Sequence, residues 1–261
     1  MNILNTKQIK ENLTSKLKSS SIDNTLHILA MNPSDEELAY KNYIKKRCDE
    51  FSIKYAYKEF DLTNSKEEIL SYINKFSEKD GFILLLPFGQ FDDIDYLREN
   101  ILLKDIDGFT YKSMGYVMNG ELNYLPATPK AVVKFLEENQ EIVGANIVIA
   151  NRTNLIGLPL SNYLINKGAT VTVLNSKTKN PKCHINNADI FITAVGKSKF
   201  YDRSYFKDGQ TIIDVGTSLV NGKIEGDVDY MDLEDLDIKV LTSKNGIGAI
   251  TTLTLLQSLI D

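Results

Sequence analysis

The chain is poor in the residues that build metal sites and covalent staples. Its 261 residues include only two cysteines and two histidines. Cys48 and Cys183 are far apart and lack metal-ligand spacing, and His27 and His184 are equally scattered. No metal site is expected, and the thiols are expected to be free in a reducing, cytoplasmic setting. Long apolar runs are missing too, so no membrane span is expected. The amphipathic start MNILNTKQIKENLTSKLKSS has no apolar core of signal-peptide type. An excess of positive charge is absent: the formal net charge is −5. That argues against nucleic acid or an anionic membrane as the main partner. What remains, 43% hydrophobic and 25% charged, is ordinary for a globular protein. The length accommodates one large or two modest domains.

The most informative stretch is 144–178, GANIVIANRTNLIGLPLSNYLINKGATVTVLNSKT. Residues 146–150 form a short β-branched strand, and 151–154 a polar turn. Residues 155–167 have helical spacing, with Leu155, Leu158, Leu160, Tyr163 and Leu164 near one face. Gly168 stops the helix, and 169–174 is a second strand. Two parallel strands joined by a crossover helix form the nucleotide-binding half of a Rossmann-type sheet. The usual glycine fingerprint is missing. Asn151 and Thr153 stand where its first two glycines would be, and only Gly157 holds the last position. Asn and Thr can still make the turn and cap the helix, leaving N–H groups for a phosphate. Taken alone, the stretch also fits a crossover with no ligand.

Before this stretch, helices are predicted over 4–19, 35–51 and 65–79, and strands over 25–30, 54–59 and 82–86. Ile9, Leu13 and Leu17 give the first helix its face, and Ser65 with Glu68 opens the third as a capping box. This alternation makes a second open parallel sheet. The segment 90–124 reads as irregular. Pro129 suits the first turn of a helix running to Glu138. After the central stretch, strands are expected at 188–194, 211–215 and 239–241, a tight turn at Asn221-Gly222, and a last helix over 249–260.

Seven motifs then occur in one order. They are KDIDGF (104–109), PATP (126–129), RTNLIGLP (152–159), ATVTVLNSKT (169–178), ADIFITAVGK (188–197), IDVG (213–216) and NGKIEGDVD (221–229). With them the chain resembles the FolD family, methylenetetrahydrofolate dehydrogenase/cyclohydrolase, over nearly its whole length. The resemblance implies an α/β protein of two domains with a cleft between them. Residues 1–122, joined by a C-terminal helix 249–261, would bind folate, and 123–248 would form a Rossmann NAD(P)-binding domain. It implies hydride transfer from 5,10-methylenetetrahydrofolate to NADP or NAD, then hydrolysis of the methenyl product, in a homodimer.

Site residues follow from the same resemblance. Tyr40 and Asp107 take the positions of the folate-contacting tyrosine and aspartate. Asn151, Arg152, Thr153, Ser176, Val195, Gly196, Gly216 and Thr217 take cofactor-contacting positions. No Asp or Glu follows the second strand of the central stretch to hold ribose hydroxyls. Asn175-Ser176-Lys177-Thr178 is there instead, with Arg152 in the preceding turn. Hydroxyl plus cation suits a 2′-phosphate, so NADP is expected and NAD is the alternative.

Two departures stand out. Four residues after the tyrosine the family has a lysine, where this chain has Ile44. The family's V-Q-L-P places a glutamine where this chain has Leu85. Replacing both together avoids an unsatisfied half of a buried pair. Lys41, Lys45 and Lys46 leave the face of Tyr40 at 100° per residue, and arginine, as at Arg47, does not give up its proton. Hydride transfer needs geometry, whereas hydrolysis needs a group that titrates near neutrality. The expectation is a dehydrogenase with weak or absent cyclohydrolase activity. Two alternatives stay open: the full bifunctional enzyme, and a non-catalytic folate or nucleotide binder. The second draws on 242–251, TSKNGIGAIT, which has lost the prolines of the family's P-V-P-G-G-V-G-P-M-T run.

Overall fold

A computed structural model describes residues 1–260. The chain begins with β1 (Asn2–Leu4), α1 (Lys7–Ser19), β2 (Leu26–Met31), α2 (Asp35–Glu50), β3 (Tyr55–Phe60), α3 (Lys66–Asn74) and β4 (Gly81–Leu84). It continues through α4 (Ile94–Asn100), β5 (Lys104–Asp105), α5 (Tyr111–Met118) and α6 (Ala127–Asn139). Next come β6 (Asn146–Ala150), α7 (Gly157–Asn166), β7 (Thr170–Leu174), α8 (Pro181–Asn186) and β8 (Ile190–Thr193). The last elements are β9 (Thr211–Asp214), β10 (Ser218–Val220), β11 (Lys223–Glu225), β12 (Lys239–Leu241) and α9 (Gly248–Gln257).

These elements fall into two compact units. One comprises Met1–Glu11, Met118–Leu122 and Thr128–Thr251; the other comprises Asn12–Val117, Asn123–Ala127 and Thr252 onward. A folate domain of residues 1–122 therefore differs from the observed division at both of its ends. The N-terminal reason is local. Asn2 donates to the carbonyl of Ile238 (2.7 Å), and β1 pairs in parallel with β12. The helix expected from residue 4 starts later because the Asn5 side chain accepts from the Lys7 N–H (3.0 Å). Ile9, Leu13 and Leu17 are buried as their spacing requires.

The six-stranded unit has strand order β7-β6-β8-β9-β12-β1, all parallel. The chain moves outward from β6 in both directions, so the switch of direction lies between β6 and β8. Ligands of open parallel sheets sit outside the carboxyl ends of the strands at that switch. Val148, Phe191, Ile212 and Val240, one from each of four adjacent strands, belong to one buried cluster. In α7, Leu160, Tyr163 and Leu164 are buried, but Leu158 is 45% exposed and leaves the expected apolar face. The helix starts at Gly157, so its inner face is set by 160, 163 and 164 at helical spacing. The hairpin β10–β11 turns at Asn221-Gly222, both with positive φ, as a two-residue loop of this type demands.

The four-stranded unit has the order β3-β2-β4-β5, also parallel. Its switch lies between β2 and β4. Ser65 and Glu68 form the expected capping box of α3, and Ser34 with Glu37 forms a second one at α2. The segment 90–124, read as irregular, holds α4, β5 and α5. Leu97, Ile101, Leu103 and Phe109 of this segment join the unit's buried cluster beside Leu29, Phe82 and Phe88, so packing selects structure that the pattern does not announce.

Candidate active site

The six-stranded unit carries a 390 Å³ cavity at its switch point. Its walls come from the carboxyl ends of three strands: Ala150, Asn151 and Arg152 after β6, Leu174 to Ser176 after β7, and Ala194 and Val195 after β8. Lys197, Phe200 and Tyr201 close one side. Asn151 builds the turn beneath it. Its Oδ1 accepts from the N–H and hydroxyl of Thr153 (2.8 Å each) and from the N–H of Gly157 (3.0 Å). Its Nδ2 donates to the carbonyl of Ala194 (2.7 Å), tying the β6 and β8 ends together. Thr153 Oγ1 in turn accepts from the N–H of Ile156 (3.2 Å). A polar turn thus replaces the first two glycines of the fingerprint. The last glycine is indispensable: a Cβ on Gly157 would stand 1.8 Å from the Asn151 carbonyl oxygen.

Of the eight residues expected at the cofactor, the cavity wall includes Asn151, Arg152, Ser176 and Val195. Thr153 faces back into the turn. Gly196 has φ +67° and faces Thr217, whose carbonyl oxygen would lie 4.0 Å from a Cβ there. Gly216 is buried under the carboxylate of Asp227, 2.1 to 2.2 Å from where its Cβ would be. The turn after β7 is held by its own groups: Asn175 N–H donates to Thr178 Oγ1 (2.9 Å), and Lys177 N–H to Asn175 Oδ1 (2.9 Å). This leaves Ser176 on the cavity wall near the strand end.

The four-stranded unit brings Tyr40 and Asp107 together. Loss of hydration raises the Tyr40 hydroxyl well above the ordinary phenol range, and the neighbouring Asp107 charge raises it further. The phenol therefore stays protonated, although the residue as a whole is 38% exposed. Asp107 follows β5, and its Oδ1 accepts from the N–H of Ala127 (2.8 Å). Asp105, two residues earlier at the end of β5, accepts from Thr110 N–H (2.7 Å) and hydroxyl (2.9 Å), which shapes the DIDG turn.

Ile44, one turn beyond Tyr40 on α2, is completely buried, and Leu85, just past β4, is 2% exposed. The nearby cations serve other contacts. Lys41 lies over the ring of Tyr57 (4.5 Å to its centroid), and Lys45 over Tyr55 (5.4 Å). Arg47 pairs with Glu50 (2.5 Å) and donates to the Tyr43 hydroxyl (3.2 Å). Lys46 is exposed.

Two wholly buried carboxylates behind the cavity had no assigned role in the sequence. Asp214 accepts from the N–H groups of Gly216 (2.9 Å) and Val228 (3.0 Å) and from the hydroxyl of Tyr230. Burial lifts its pKa to about 6 against the effect of these donors. Asp227 accepts from Thr193 Oγ1 (2.8 Å) and from the N–H groups of Val195 (2.7 Å) and Lys197 (2.8 Å). The signal was present as IDVG and GDVD, but the sequence does not say what those carboxylates bind. Among the described residues, no group of three His, Cys, Asp or Glu side chains could hold a metal ion. None of the described helices is long and apolar enough to cross a membrane.

Fold and cavity together define a two-unit α/β chain with a Rossmann-type nucleotide site. Residues 126–261 match the family model of the tetrahydrofolate dehydrogenase/cyclohydrolase NAD(P)-binding domain. The chain is 35% identical over 256 residues to the bifunctional protein FolD of Clostridium perfringens, covering 96% of this chain and 92% of that one. It is 38% identical over 201 residues to FolD of Clostridium beijerinckii, covering 75% and 71% respectively. The crystal structure of the bifunctional FolD dehydrogenase/cyclohydrolase from Campylobacter jejuni superimposes with a TM-score of 0.90 at 28% identity, covering 100% of this chain and 97% of that one. The chain belongs to the tetrahydrofolate dehydrogenase/cyclohydrolase (FolD) family.

Proposed function

We propose that the chain oxidises 5,10-methylenetetrahydrofolate to 5,10-methenyltetrahydrofolate with NADP. The carrying observation is the cavity at the β6/β8 switch, with Arg152 and Ser176 on its wall. These residues fit the cofactor: Gly157 lets helix α7 approach the strand end, and a guanidinium with a hydroxyl suits a 2′-phosphate. When bound, NADP supplies the hydride acceptor. Arg152 and Ser176 would bind the phosphate, and the Val195–Lys197 loop would border the dinucleotide. Asp107 would accept from the donors of the pterin, and Tyr40, kept protonated, would orient the folate as a donor. No proton has to leave a heteroatom in hydride transfer, so this half needs only placement. The reading includes a homodimer, which sedimentation would test.

The Clostridium relatives are named bifunctional and the Campylobacter jejuni enzyme is named for both dehydrogenase and cyclohydrolase activity, and that favours a chain that also hydrolyses the methenyl product. A dehydrogenase with weak or absent hydrolysis is the second reading, and one observation favours it. The positions that match the family's lysine and glutamine are the buried aliphatics Ile44 and Leu85. Neither can take a proton from water. A single assay tests both readings by following NADPH formation and methenyl absorbance together. No NADPH from methylenetetrahydrofolate would refute the dehydrogenase. NADPH with methenyl accumulation supports the second reading, and NADPH without accumulation supports the bifunctional one.

A further inference from the structure

The wall of the nucleotide cavity from Val195 to Tyr201 is a loop, with no strand or helix of its own. Its shape is imposed by the segment Glu225 to Asp229, which runs alongside it. Asp227 takes the N–H groups of Val195 and Lys197 on its two carboxylate oxygens, and these flank Gly196 with its positive φ. Ser198 donates its hydroxyl to Glu225. Lys199 N–H donates to the Gly226 carbonyl (3.0 Å), Tyr201 N–H to the Asp227 carbonyl (2.9 Å), and Asp229 N–H to the Tyr201 carbonyl (3.0 Å). Most of the hydrogen bonds holding this wall thus come from the GDVD segment, and its only fully buried charge sits at the centre.

The geometry of the two motifs shows how tightly that charge is placed. The Asp227 carboxylate occupies the space a side chain at Gly216 would need. The Asp214 carboxylate likewise lies 2.2 Å from where a Cβ on Gly226 would be. Each motif thus carries an aspartate that fits over the other motif's glycine. A buried carboxylate with three donors fixes them far more firmly than water could, and each donor would be unsatisfied without it.

The geometry points to Asp227 as a positioning residue for the dinucleotide: by holding Val195 and Lys197 it shapes the cofactor wall and sets cofactor affinity. This rests on the reading that the cavity takes NADP. Asp227 itself holds the loop and is not one of the residues lining the cavity. An Asn at 227 keeps the size but turns a donor toward one of the three donors it must accept. Thr193→Val removes one of the three and leaves the charge in place.

The test compares wild type, Asp227→Asn and Thr193→Val. NADP dissociation constants, KM for each substrate and backbone amide exchange in the free protein are measured. For Asp227→Asn the dissociation constant and KM for NADP should rise about tenfold or more, while the folate KM stays within about twofold. The amides of Val195 and Lys197 should lose protection, but those of the β6 and β8 strands should keep it. Thr193→Val should show the same pattern at smaller size. Equal losses in both substrates together with general loss of amide protection would make Asp227 a fold residue only. Unchanged NADP affinity in Asp227→Asn beside a wild type that binds NADP would overturn the role given to Asp227. A wild type that ignores NADP would overturn the cofactor reading itself.

Discussion

Gly157 meets the main chain of Asn151 where no side chain fits. The Asn151 carbonyl oxygen would be 1.8 Å from a Cβ on Gly157, and the Asn151 side-chain oxygen 2.9 Å. Gly157→Ala should therefore cost about 1–3 kcal/mol and loosen NADP binding, because α7 must move off the strand end. Gly115 in α5 has nothing within 4 Å of its Cβ position. Gly115→Ala should stabilise the chain by up to about 1 kcal/mol. Denaturant unfolding of the two variants checks both signs.

Arg152→Ala should raise the KM for NADP by about 10- to 100-fold, the size of a lost charge-assisted contact. The KM for NAD, which lacks the phosphate, should change little. Equal effects on both cofactors would remove Arg152 from the phosphate site.

Asp107 already accepts one N–H from Ala127. Asp107→Asn can keep that bond while losing the charge, so the fold should survive. Its kcat/KM for methylenetetrahydrofolate should fall about 100-fold, with the NADP dissociation constant unchanged. Asp107→Ala should lose activity and also about 1 kcal/mol of stability. Retained folate turnover in Asp107→Asn would reduce the residue to a turn former.

Ile44→Lys alone places an amine where the wild type is completely buried, and should cost several kcal/mol, roughly 3 or more. Ile44→Lys with Leu85→Gln should recover part of this through a hydrogen bond. If the lost pair is what limits hydrolysis, the double variant should consume methenyltetrahydrofolate faster than the wild type. Loss of methenyl absorbance above the buffer rate is the readout. Equal rates in both proteins would separate these two positions from the hydrolytic step.

Asp214 holds its proton to about pH 6 in the folded chain, above the 3.8 of a free aspartate. Between these values the folded state binds more protons than the unfolded one, so this group's contribution to stability falls as pH rises through the window. Asp214→Asn has no such titration. Its stability deficit against wild type should be larger at pH 4 than at pH 8, by up to about 3 kcal/mol. Unfolding curves at the two pH values decide it, and a constant deficit would mean that Asp214 titrates in the folded chain as it does in the unfolded one.

Much of the fold is legible where β-branched runs are dense. IVI, TVTVL and TIID each mark a strand to within a residue or two: IVI and TIID because strands buried in a parallel sheet are largely apolar, TVTVL, on the half-exposed edge strand, because β-branched residues favour the extended backbone. Legibility fails where structure depends on distant partners. β5 has two residues and α4 has seven; neither carries a periodic pattern long enough to read. The cofactor turn is legible as a turn, but the way Asn151 replaces two glycines needs coordinates. The proximity of Tyr40 and Asp107 is not legible in the sequence, since α2 and the loop after β5 lie far apart along the chain. Asp227 is the clearest miss. It binds residues some thirty positions earlier, and nothing local distinguishes it from a loop aspartate on the surface.

The parallel pairing of β1 with β12 has a consequence for the order of assembly. Asn2 sits opposite Lys239, so almost the whole chain lies between two neighbouring strands. During synthesis β1 waits until the residues of β12 have been made before its partner exists. Closing so long a loop for three residues of pairing is entropically unfavourable until β9 and β12 are already in register. The edge of the sheet is therefore sealed late, and β1 stays unpaired until β12 has been translated.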